Sequence, residues 1–428
     1  MKLYRELMDK LVSWRKRPDR KPLVISGMRG VGKTTVVKEF AEKYFEKMVV
    51  FDLENPDGKL SFDGVLLRDP FDDVIMKYKE FREDKENDLV VFDGLNEERI
   101  GKNTADDIIR FLVAEFRDYN ICIVTSLDVK RVCRRSTVKG VELHKLYPMN
   151  LKEFMIANHA ESLVDAVHTQ MQVPLDPAQR FKMQQYISVY LITGGMPEVI
   201  KTYLTTRDLK AVDEARKKSV QTYMRELDRI PDEGMRKRAG ELIRAIPKQL
   251  DSKEKIFEYE ELRLFFSARK HYEKALDWLK IHQMVTVVKE WEADRKEKKK
   301  TPGEKMFLTD VGLLSFLGET SFEDLVTAED FYGYRNGMYT HQFVLQQLQT
   351  SLMKEPYYFL REKKGGVAFL CRSGGEQISV VLMLDGQTKV QDMQEELKKT
   401  GLLLYVTADT MDWQENEMKI PAYALWNL

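Results

Sequence analysis

The first 150 residues alternate short apolar runs with segments of helical periodicity. Residues 108–116, for example, place apolar side chains at the spacing of a helix that packs one face against a core. Alternation of this kind predicts a parallel sheet with helices on both faces, in which ligands bind at the carboxyl ends of the strands. The apolar runs that predict strands are 23–26, 48–51, 89–93, 121–126 and 141–146.

Beyond residue 150 the pattern changes twice. The next segment is almost wholly helical and is interrupted at Gly194–Pro197, where two glycines and a proline end one helix and open a turn. A later stretch follows the order helix, strand, charged loop and strand, the outline of a winged helix whose wing is 295–305. The last hundred residues return to apolar strands around one helix. We therefore predict four domains: an α/β core (1–150), a helical lid (151–235), a winged helix (236–318) and a small α/β domain (319–428).

Composition narrows the classes of protein to consider. Lys plus Arg equals Asp plus Glu at 69 each, so the chain has no general basic charge that would favour nucleic acid. No apolar run approaches the roughly 18 residues of a membrane span, and the N-terminus lacks the apolar core of a signal peptide. Three dispersed cysteines, Cys122, Cys133 and Cys371, are too few for a disulfide framework or a zinc site. We expect a cytoplasmic protein with no membrane partner.

A complete phosphate-loop pattern, Gly-x-x-x-x-Gly-Lys-Thr, lies between the first apolar run and a helical segment. Its glycines let backbone N–H groups approach phosphate oxygens, and the helix N-terminus adds partial positive charge. We expect Lys33 to reach the β- and γ-phosphates and the Thr34 hydroxyl to ligate Mg²⁺. A glycine-rich turn that binds nothing is the alternative, which the strand and helix on either side disfavour. The expected nucleotide-binding residues of the loop are Gly27, Met28, Arg29, Gly30, Val31, Gly32, Lys33, Thr34 and Thr35.

A second Mg²⁺ ligand is expected at the end of another buried strand, and the run 88–93 ends in Asp93. In AAA+-type ATPases the next residue is usually a glutamate that polarises the attacking water, but here it is Gly94. Because glycine cannot act as a base, we expect slow or absent hydrolysis, and we expect Gly94→Glu to speed it. Our catalytic candidate for the base is Glu97, and two alternatives stay open: Glu98 and Asp52.

Two further side chains complete the predicted site. Ser126, at the end of an apolar run, stands where a polar sensor residue contacts the γ-phosphate or the attacking water; a plain strand-end serine is the alternative. Arg131, Arg134 and Arg135 follow in a loop. Arg134 is our candidate for an arginine finger directed at a neighbouring subunit, which would require an oligomer. Solvated surface arginines are the alternative.

Four segments then carry a resemblance over nearly the whole chain: 20–34, 146–154, 194–199 and 307–314. On these segments the chain resembles a widespread family of predicted prokaryotic AAA+ ATPases that join an ATPase core to a C-terminal region of unassigned function. The glycine–proline turn is similar to the G-x-P element of the related STAND signalling ATPases. That resemblance implies that Pro197 packs against the adenine, although a helix-breaking turn explains the same residues. The chain has no N/T-K-x-D motif for guanine, so ATP is favoured over GTP.

In that family the C-terminal domain resembles a PD-(D/E)xK nuclease fold, whose chemistry needs carboxylates for Mg²⁺ and a lysine that supports the attacking water. Aligned by its apolar flanks, this chain has His341 and Gln342, then 366–369, then 381–383 at the positions of the catalytic set. No metal ligand of that set remains. We therefore predict a degenerate nuclease-like domain that does not cut DNA and serves as a structural module or as a docking site for a protein partner.

The leading hypothesis is an α/β P-loop NTPase that binds ATP or ADP with Mg²⁺ and acts as a nucleotide-dependent switch. The alternative is a nucleotide-modulated DNA-binding regulator, which the neutral net charge disfavours. Its candidate phosphate contacts lie in the wing and on the preceding helix: Lys298, Lys299, Lys300, Arg269, Lys270 and Lys274. A nucleotide or small-molecule kinase shares the phosphate loop, but the additional domains argue against it.

Overall fold

A computed structural model describes most of the chain, namely residues 1–54, 86–100, 103–169, 174–262, 268–291, 302–352, 357–360, 367–373, 375–384 and 401–428. Its internal contacts divide the chain into two compact units. The first unit comprises Tyr4–Tyr147 with Trp278–Met284. The second unit comprises Met1–Leu3, Pro148–Asp277 and Val285–Leu428.

A parallel sheet forms the centre of the first unit. The strands of this unit are β1 (Leu23–Ser26), β2 (Lys47–Asp52), β3 (Asp88–Asp93), the short pair β4 (Arg99–Ile100) and β5 (Asn103–Thr104), β6 (Asn120–Thr125) and β7 (Glu142–Lys145). The five longer strands pair in the order β2-β3-β6-β1-β7, and every neighbouring pair is parallel. The parallel α/β sheet predicted from the apolar runs is therefore confirmed.

Helices cover this sheet and bury its apolar side chains. One core cluster joins Val24, Phe92 and Ile123 of the strands to Ile108 and Leu112 of a covering helix. That helix starts in a reciprocal cap between Thr104 and Asp107, which satisfies backbone donors at its first turn. The packing fixes the carboxyl ends of the central strands along one edge. The helices of the unit are Leu7–Arg15, Lys33–Tyr44, Ala105–Glu115, Val129–Val132 and Arg135–Gly140, with the end of Ala268–Ile281.

Helices predominate in the N-terminal half of the second unit, as the sequence pattern predicts. A proline begins the first turn of two of them, where its missing N–H costs nothing. The α-helices are Leu151–Ala157, Glu161–His168, Pro177–Thr193, Pro197–Thr206, Leu209–Arg225, Glu233–Leu250, Ala268–Ile281, Val311–Leu317, Phe322–Val326 and Tyr334–Ser351. The 3₁₀ helices are Glu226–Arg229, Tyr259–Glu261 and Ala422–Asn427.

The described strands of the second unit form one mixed sheet. Its strands are β8 (Val285–Glu290), β9 (Glu304–Leu308), β10 (Tyr358–Phe359), β11 (Val367–Ser373), β12 (Glu376–Met383), β13 (Gly401–Thr407), β14 (Asp412–Gln414) and β15 (Glu417–Pro421). They pair in the order β14-β15-β13-β12-β11-β10-β8-β9.

The hairpin β8–β9, predicted as part of a winged helix, therefore shares a sheet with the strands of the small α/β domain predicted for 319–428. Tyr358 of β10 pairs in parallel with Lys289 of β8. This pairing covers a hairpin edge that would otherwise present unpaired N–H and C=O groups. The predicted boundary between residues 318 and 319 lies between β9 and β10, which belong to this one sheet, and the bounds of the four domains remain predictions.

Three of the segments that carry the family resemblance meet inside the second unit. The Met149 amide donates to the Gly195 carbonyl at 2.7 Å, and the Gly195 amide donates to Asp310 Oδ2 at 2.6 Å. Gly194 and Gly312 approach each other so closely that a Cβ on Gly194 would lie 2.6 Å from the Gly312 nitrogen. The glycines are therefore needed for this backbone contact.

Candidate nucleotide site

The phosphate loop follows β1, which lies between β6 and β7 in the sheet. Gly30 and Gly32 have φ angles of +86° and +94°, which other residues rarely adopt. At Gly27 a Cβ would lie 2.2 Å from the Leu146 carbonyl oxygen. Helix Lys33–Tyr44 begins directly after the last of these glycines. The sequence therefore uses glycine where the backbone must turn tightly at the N-terminus of a helix, as an anion-binding loop requires.

A buried arginine that the sequence analysis missed fixes this loop from behind. Arg5 donates through Nη1 to the Val31 carbonyl at 2.6 Å and through Nη2 to the Tyr147 carbonyl at 2.7 Å. Its side chain is almost fully buried, so both bonds are shielded from water. Nothing in the local sequence marks Arg5, because its partners lie on loops that only the fold brings close.

The structure brings Lys33, Thr34 and Asp93 together. Lys33 Nζ donates to the Gly27 carbonyl at 2.7 Å and to the Met28 carbonyl at 3.0 Å. The Thr34 hydroxyl donates to Asp93 Oδ2 at 2.8 Å. A hydroxyl and a carboxylate side by side are the oxygen ligands that Mg²⁺ prefers in nucleotide sites. These residues thus fit the predicted ion, which would neutralise phosphate charge beside the loop.

Asp93 lies among other charged groups at the ends of β2 and β3. Burial raises the pKa of its carboxyl group, while the hydrogen bond from Thr34 and the charge of Lys33 lower it. Asp52, its direct partner in the strand register, and Glu54 also raise that pKa because their negative charges repel its ionised form. A bound cation would favour the ionised carboxylate and relieve this repulsion.

Position 94 departs from our expectation. Gly94 has φ +94°, and a Cβ added there would lie 2.6 Å from Glu54 Cγ and 3.2 Å from the Glu54 amide nitrogen. A glutamate at position 94 would therefore combine an unfavourable backbone conformation with a collision. This geometry argues against the expectation that Gly94→Glu speeds hydrolysis.

Glu54 and Asn96 are two site residues that the sequence analysis missed. Glu54 Oε1 accepts hydrogen bonds from Arg29 Nη1 at 3.3 Å and from Asn96 Nδ2. Asn96 Oδ1 in turn accepts the Ser126 amide at 2.7 Å. Their positions in the sequence could have identified them. Both follow strands of the parallel sheet, and polar residues just beyond neighbouring parallel strands lie at the same sheet edge.

Ser126 directly follows β6, at the predicted sensor position. Its hydroxyl is buried and has no hydrogen-bond partner among the described residues, while its carbonyl accepts Gln283 Nε2 at 3.0 Å. The Asp128 amide also donates to the Ile281 carbonyl at 2.7 Å. Gln283 is buried and has φ +57°, an uncommon backbone conformation for this residue type. The end of β6 therefore holds the turn that follows helix Ala268–Ile281.

The structure places the other candidates apart from this group. Glu97 is exposed to solvent after β3. The side chain of Arg134 is 69% exposed, and its Nε lies 3.4 Å from Asp106 Oδ2 within the same unit. Pro197 lies in the second unit, at the first turn of helix Pro197–Thr206. The base, finger and adenine roles of these residues remain predictions.

The residues predicted to contact DNA phosphates differ in their surroundings. Arg269 forms a two-point ion pair with Glu304, through Nη2–Oε1 at 2.7 Å and Nε–Oε2 at 3.2 Å. Its guanidinium is therefore already occupied by a carboxylate. Lys270 and Lys274 are exposed on the same helix. The wing lysines 298–300 lie outside the described residues.

Two of the three segments aligned with the nuclease set lie on the neighbouring strands β11 and β12, where the residues are apolar. Val367 of β11 pairs with Val381 of β12. Gln342 is buried and donates to the Leu308 carbonyl at 2.7 Å, and burial holds the pKa of His341 well below its usual value. Among the described residues, no group of three His, Cys, Asp or Glu could hold a metal. Gly366 lies outside the described residues, and the lack of nuclease activity remains a prediction.

Comparisons with known proteins agree with this geometry. Residues 19–155 match the family model described as "AAA domain". Residues 19–155 are thus similar to that family, and their parallel sheet with its phosphate loop has a P-loop NTPase fold. Residues 184–324 match a second model, described as a domain of unknown function (DUF8612). A search of curated proteins finds no match.

The solved structures to which the chain is similar are distant from it. The Aeropyrum pernix ORC1 protein in complex with DNA is 11% identical, with 76% of this chain and 94% of that chain covered and a TM-score of 0.33. The Thermotoga maritima RuvB branch migration motor is 14% identical, with coverages of 66% and 89% and a TM-score of 0.31. Caenorhabditis elegans PCH-2 is 13% identical, with coverages of 50% and 69% and a TM-score of 0.31. Similarities this low carry no information about function. Separately, no helix among the described residues is long and apolar enough to cross a membrane.

Proposed function

We propose that this protein binds ATP with Mg²⁺ at the phosphate loop, hydrolyses it to ADP and phosphate, and acts as a nucleotide-dependent switch. The observation that supports the switch is the pair of hydrogen bonds between the end of β6 and the turn at Ile281–Gln283. Through that turn, the predicted sensor residue Ser126 is connected to the start of the hairpin β8–β9.

Binding would use the residues that the fold already holds together. The loop backbone and the N-terminus of helix Lys33–Tyr44 offer N–H groups to the phosphates. Lys33, now bonded to two loop carbonyls, would exchange these neutral acceptors for charged phosphate oxygens. Thr34 and Asp93 would hold the ion that neutralises phosphate charge.

The contacts of the turn at Ile281–Gln283 would make it move together with the end of β6. Ile281 packs against the core cluster of the first unit, and Gln283 is buried with its amide on the Ser126 carbonyl. A ligand that prefers one position of Ser126 would therefore also shift the turn or break its bonds. The next residues after Met284 are those of β8, so the effect reaches the hairpin through the chain itself.

Hydrogen exchange can test this proposal directly. We expect ATP with Mg²⁺ to change amide protection in β8 and β9 of the wild type. In Gln283→Ala the change should be lost while ATP affinity stays close to wild type, because the bond removed is to the backbone carbonyl of Ser126 and not to a predicted phosphate ligand. Lys33→Ala serves as the variant that does not bind nucleotide, and Gln414→Ala, at an exposed glutamine, is the matched control.

Two results would contradict the proposal at different points. If the wild type fails to bind ATP, the nucleotide site itself is wrong. If ATP binds but protection of β8 and β9 is the same with and without nucleotide, binding stands and the switch does not.

The DNA-binding regulator remains the weaker proposal. The ion pair between Arg269 and Glu304 removes one of its candidate phosphate contacts. A DNA affinity that falls steeply with salt would support this alternative, and no retention on DNA at low salt would exclude it.

A further inference from the structure

We propose that Glu54 is the carboxylate that activates the attacking water, in place of the glutamate that is absent at position 94. This inference rests on the proposed ATP hydrolysis. Glu54 would thus be a catalytic residue supplied by the end of β2, whereas the sequence directed attention to the end of β3.

The first argument is the space that Glu54 fills. A side chain at position 94 would start where Glu54 already lies, because a Cβ on Gly94 would be 2.6 Å from Glu54 Cγ. The glycine therefore makes room for a carboxylate from the neighbouring strand. The loss of a glutamate in the sequence coincides with the presence of another at almost the same place.

The second argument is the proximity of Glu54 to the predicted Mg²⁺ ligand. β2 and β3 are adjacent, and the backbone bonding continues beyond their ends, where the Leu53 amide donates to the Asp93 carbonyl at 2.7 Å. Glu54 follows directly and is close enough for its charge to raise the pKa of Asp93. A base must lie beside the reacting phosphate, and this edge is where the phosphates would be bound.

The third argument is that Glu54 is oriented by its neighbours. Its Oε1 accepts hydrogen bonds from Arg29 of the phosphate loop at 3.3 Å and from Asn96. Asn96 is itself fixed by the Ser126 amide at 2.7 Å. A carboxylate held between the phosphate loop and the sensor position has the support that a catalytic base needs.

The alternative carboxylates are less suited. Asp52 Oδ1 accepts the Glu54 amide at 2.9 Å, so it shapes the turn that presents Glu54. Glu97, our candidate from the sequence, is exposed to solvent, as Glu54 is, but only Glu54 accepts a described hydrogen bond from the phosphate loop, from Arg29 Nη1. Neither Asp52 nor Glu97 has a described hydrogen bond to the phosphate loop.

The chemical step is a simple hydrolysis. The Glu54 carboxylate accepts a proton from water as the water oxygen forms a bond to the γ-phosphorus. The bond between the γ-phosphorus and the bridging oxygen breaks, and its electron pair leaves on ADP. Inorganic phosphate is the second product, and the proton on Glu54 passes to solvent, which restores the carboxylate.

The test compares Glu54→Gln with wild type in the full chain. We expect single-turnover phosphate release to fall by about 10²-fold or more, the usual effect of removing a general base. ATP affinity in Mg²⁺ should change little, and the bound nucleotide recovered after incubation should remain ATP in the variant and become ADP in the wild type. Thermal unfolding should be unchanged. Glu46→Gln, at the exposed opposite end of β2, should behave as wild type.

The possible outcomes separate this inference from the proposed function. No ATP binding by the wild type would remove the proposed function itself. If the wild type binds ATP without hydrolysing it, or if Glu54→Gln hydrolyses it at the wild-type rate, binding stands and the role of Glu54 is wrong. Loss of turnover in Glu97→Gln with normal turnover in Glu54→Gln would return the role to Glu97.

Discussion

Two carboxylates at strand ends have opposite surroundings: Asp93, the last residue of β3, and Asp310, which follows shortly after β9. Burial raises the pKa of both, to about 6 for Asp310. Asp310 is fully buried and accepts N–H groups from Gly195, Leu313 and Gln346. Asp93 is only half-buried, and its described hydrogen-bond donor is the Thr34 hydroxyl.

Because burial raises the pKa of both carboxyl groups, the direction of that shift does not separate the predicted Mg²⁺ ligand from a carboxylate that serves the fold. The carboxylate oxygens of Asp310 accept hydrogen bonds from its own unit. They connect the segment around Asp310 to those around Gly195 and Gln346. Asp93 lies beside a loop and two further acids, with acceptor capacity that a cation could use. What distinguishes a ligand from a structural acid is therefore how its acceptors are used, and not the cost of its burial.

The largest expected effect is on folding and separates the two residues. Asp310→Ala should lower the free energy of unfolding by about 3–5 kcal/mol, because it leaves several buried N–H donors without an acceptor. Asp93→Ala should cost about 1 kcal/mol or less, since it loses one hydrogen bond and relieves like-charge repulsion. Urea titrations of the full chain measure both. Equal losses would contradict the comparison.

The pH dependence of stability should differ as well. The folded-state pKa of Asp310 is raised from 3.8 to about 6, so the folded state binds the proton more tightly than the unfolded state. Its contribution to stability is therefore greatest below pH 4 and is lost as pH rises through about 6. Relative to Asp310→Asn, the wild type should lose about 3 kcal/mol over this range. A difference that does not change with pH would show that folding does not raise the pKa of Asp310.

The effect of Mg²⁺ on ATP affinity should also distinguish Asp93 from Asp310. Asp93→Asn should weaken ATP binding about 10-fold or more in Mg²⁺, because a charged ligand is replaced by a neutral one, and should have little effect in excess chelator. Asp310→Asn should leave the ratio of the two affinities unchanged. Titration with a fluorescent ATP analogue, with and without Mg²⁺, measures both ratios.

The glycine near each acid gives the smallest and most local test. A Cβ on Gly194 would lie 2.2 Å from Asp310 Oδ1 and 2.6 Å from backbone, whereas a Cβ on Gly94 meets the flexible side chain of Glu54 first. Both have positive φ, so each alanine carries backbone strain of about 1–2 kcal/mol. Gly94→Ala should cost little more than this, and Gly194→Ala distinctly more. In Glu54→Ala, the added cost of Gly94→Ala should fall.

Local patterns predicted the first unit well. The apolar runs gave the strands of the parallel sheet, and the glycine spacing identified the loop that the structure places beside Asp93. These features depend on residues that are near in sequence or on a general rule of parallel sheets. The sequence pattern also indicated the helices after residue 150.

What the sequence did not reveal depends on contacts between distant segments. Glu54, Asn96 and Gln283 come together through strand register and through a turn far along the chain. From the sequence alone, Gly94 indicated that a catalytic glutamate is missing. Only the structure shows that the side chain of Glu54 fills the space beside Gly94. The pairing of β8 with β10 is equally non-local, because any exposed strand edge can accept several partners.

The shared sheet of the second unit has a mechanical consequence. Because β8 is bonded to β9 on one side and to β10 on the other, the hairpin is not a free arm. In the proposed switch, a displacement of the turn at Gln283 would enter β8 and reach the other strands through the hydrogen bonds that join them. β14 lies at the far edge of that sheet from β9, so the hairpin and the C-terminal strands are parts of one hydrogen-bonded sheet and cannot separate without breaking backbone bonds between strands.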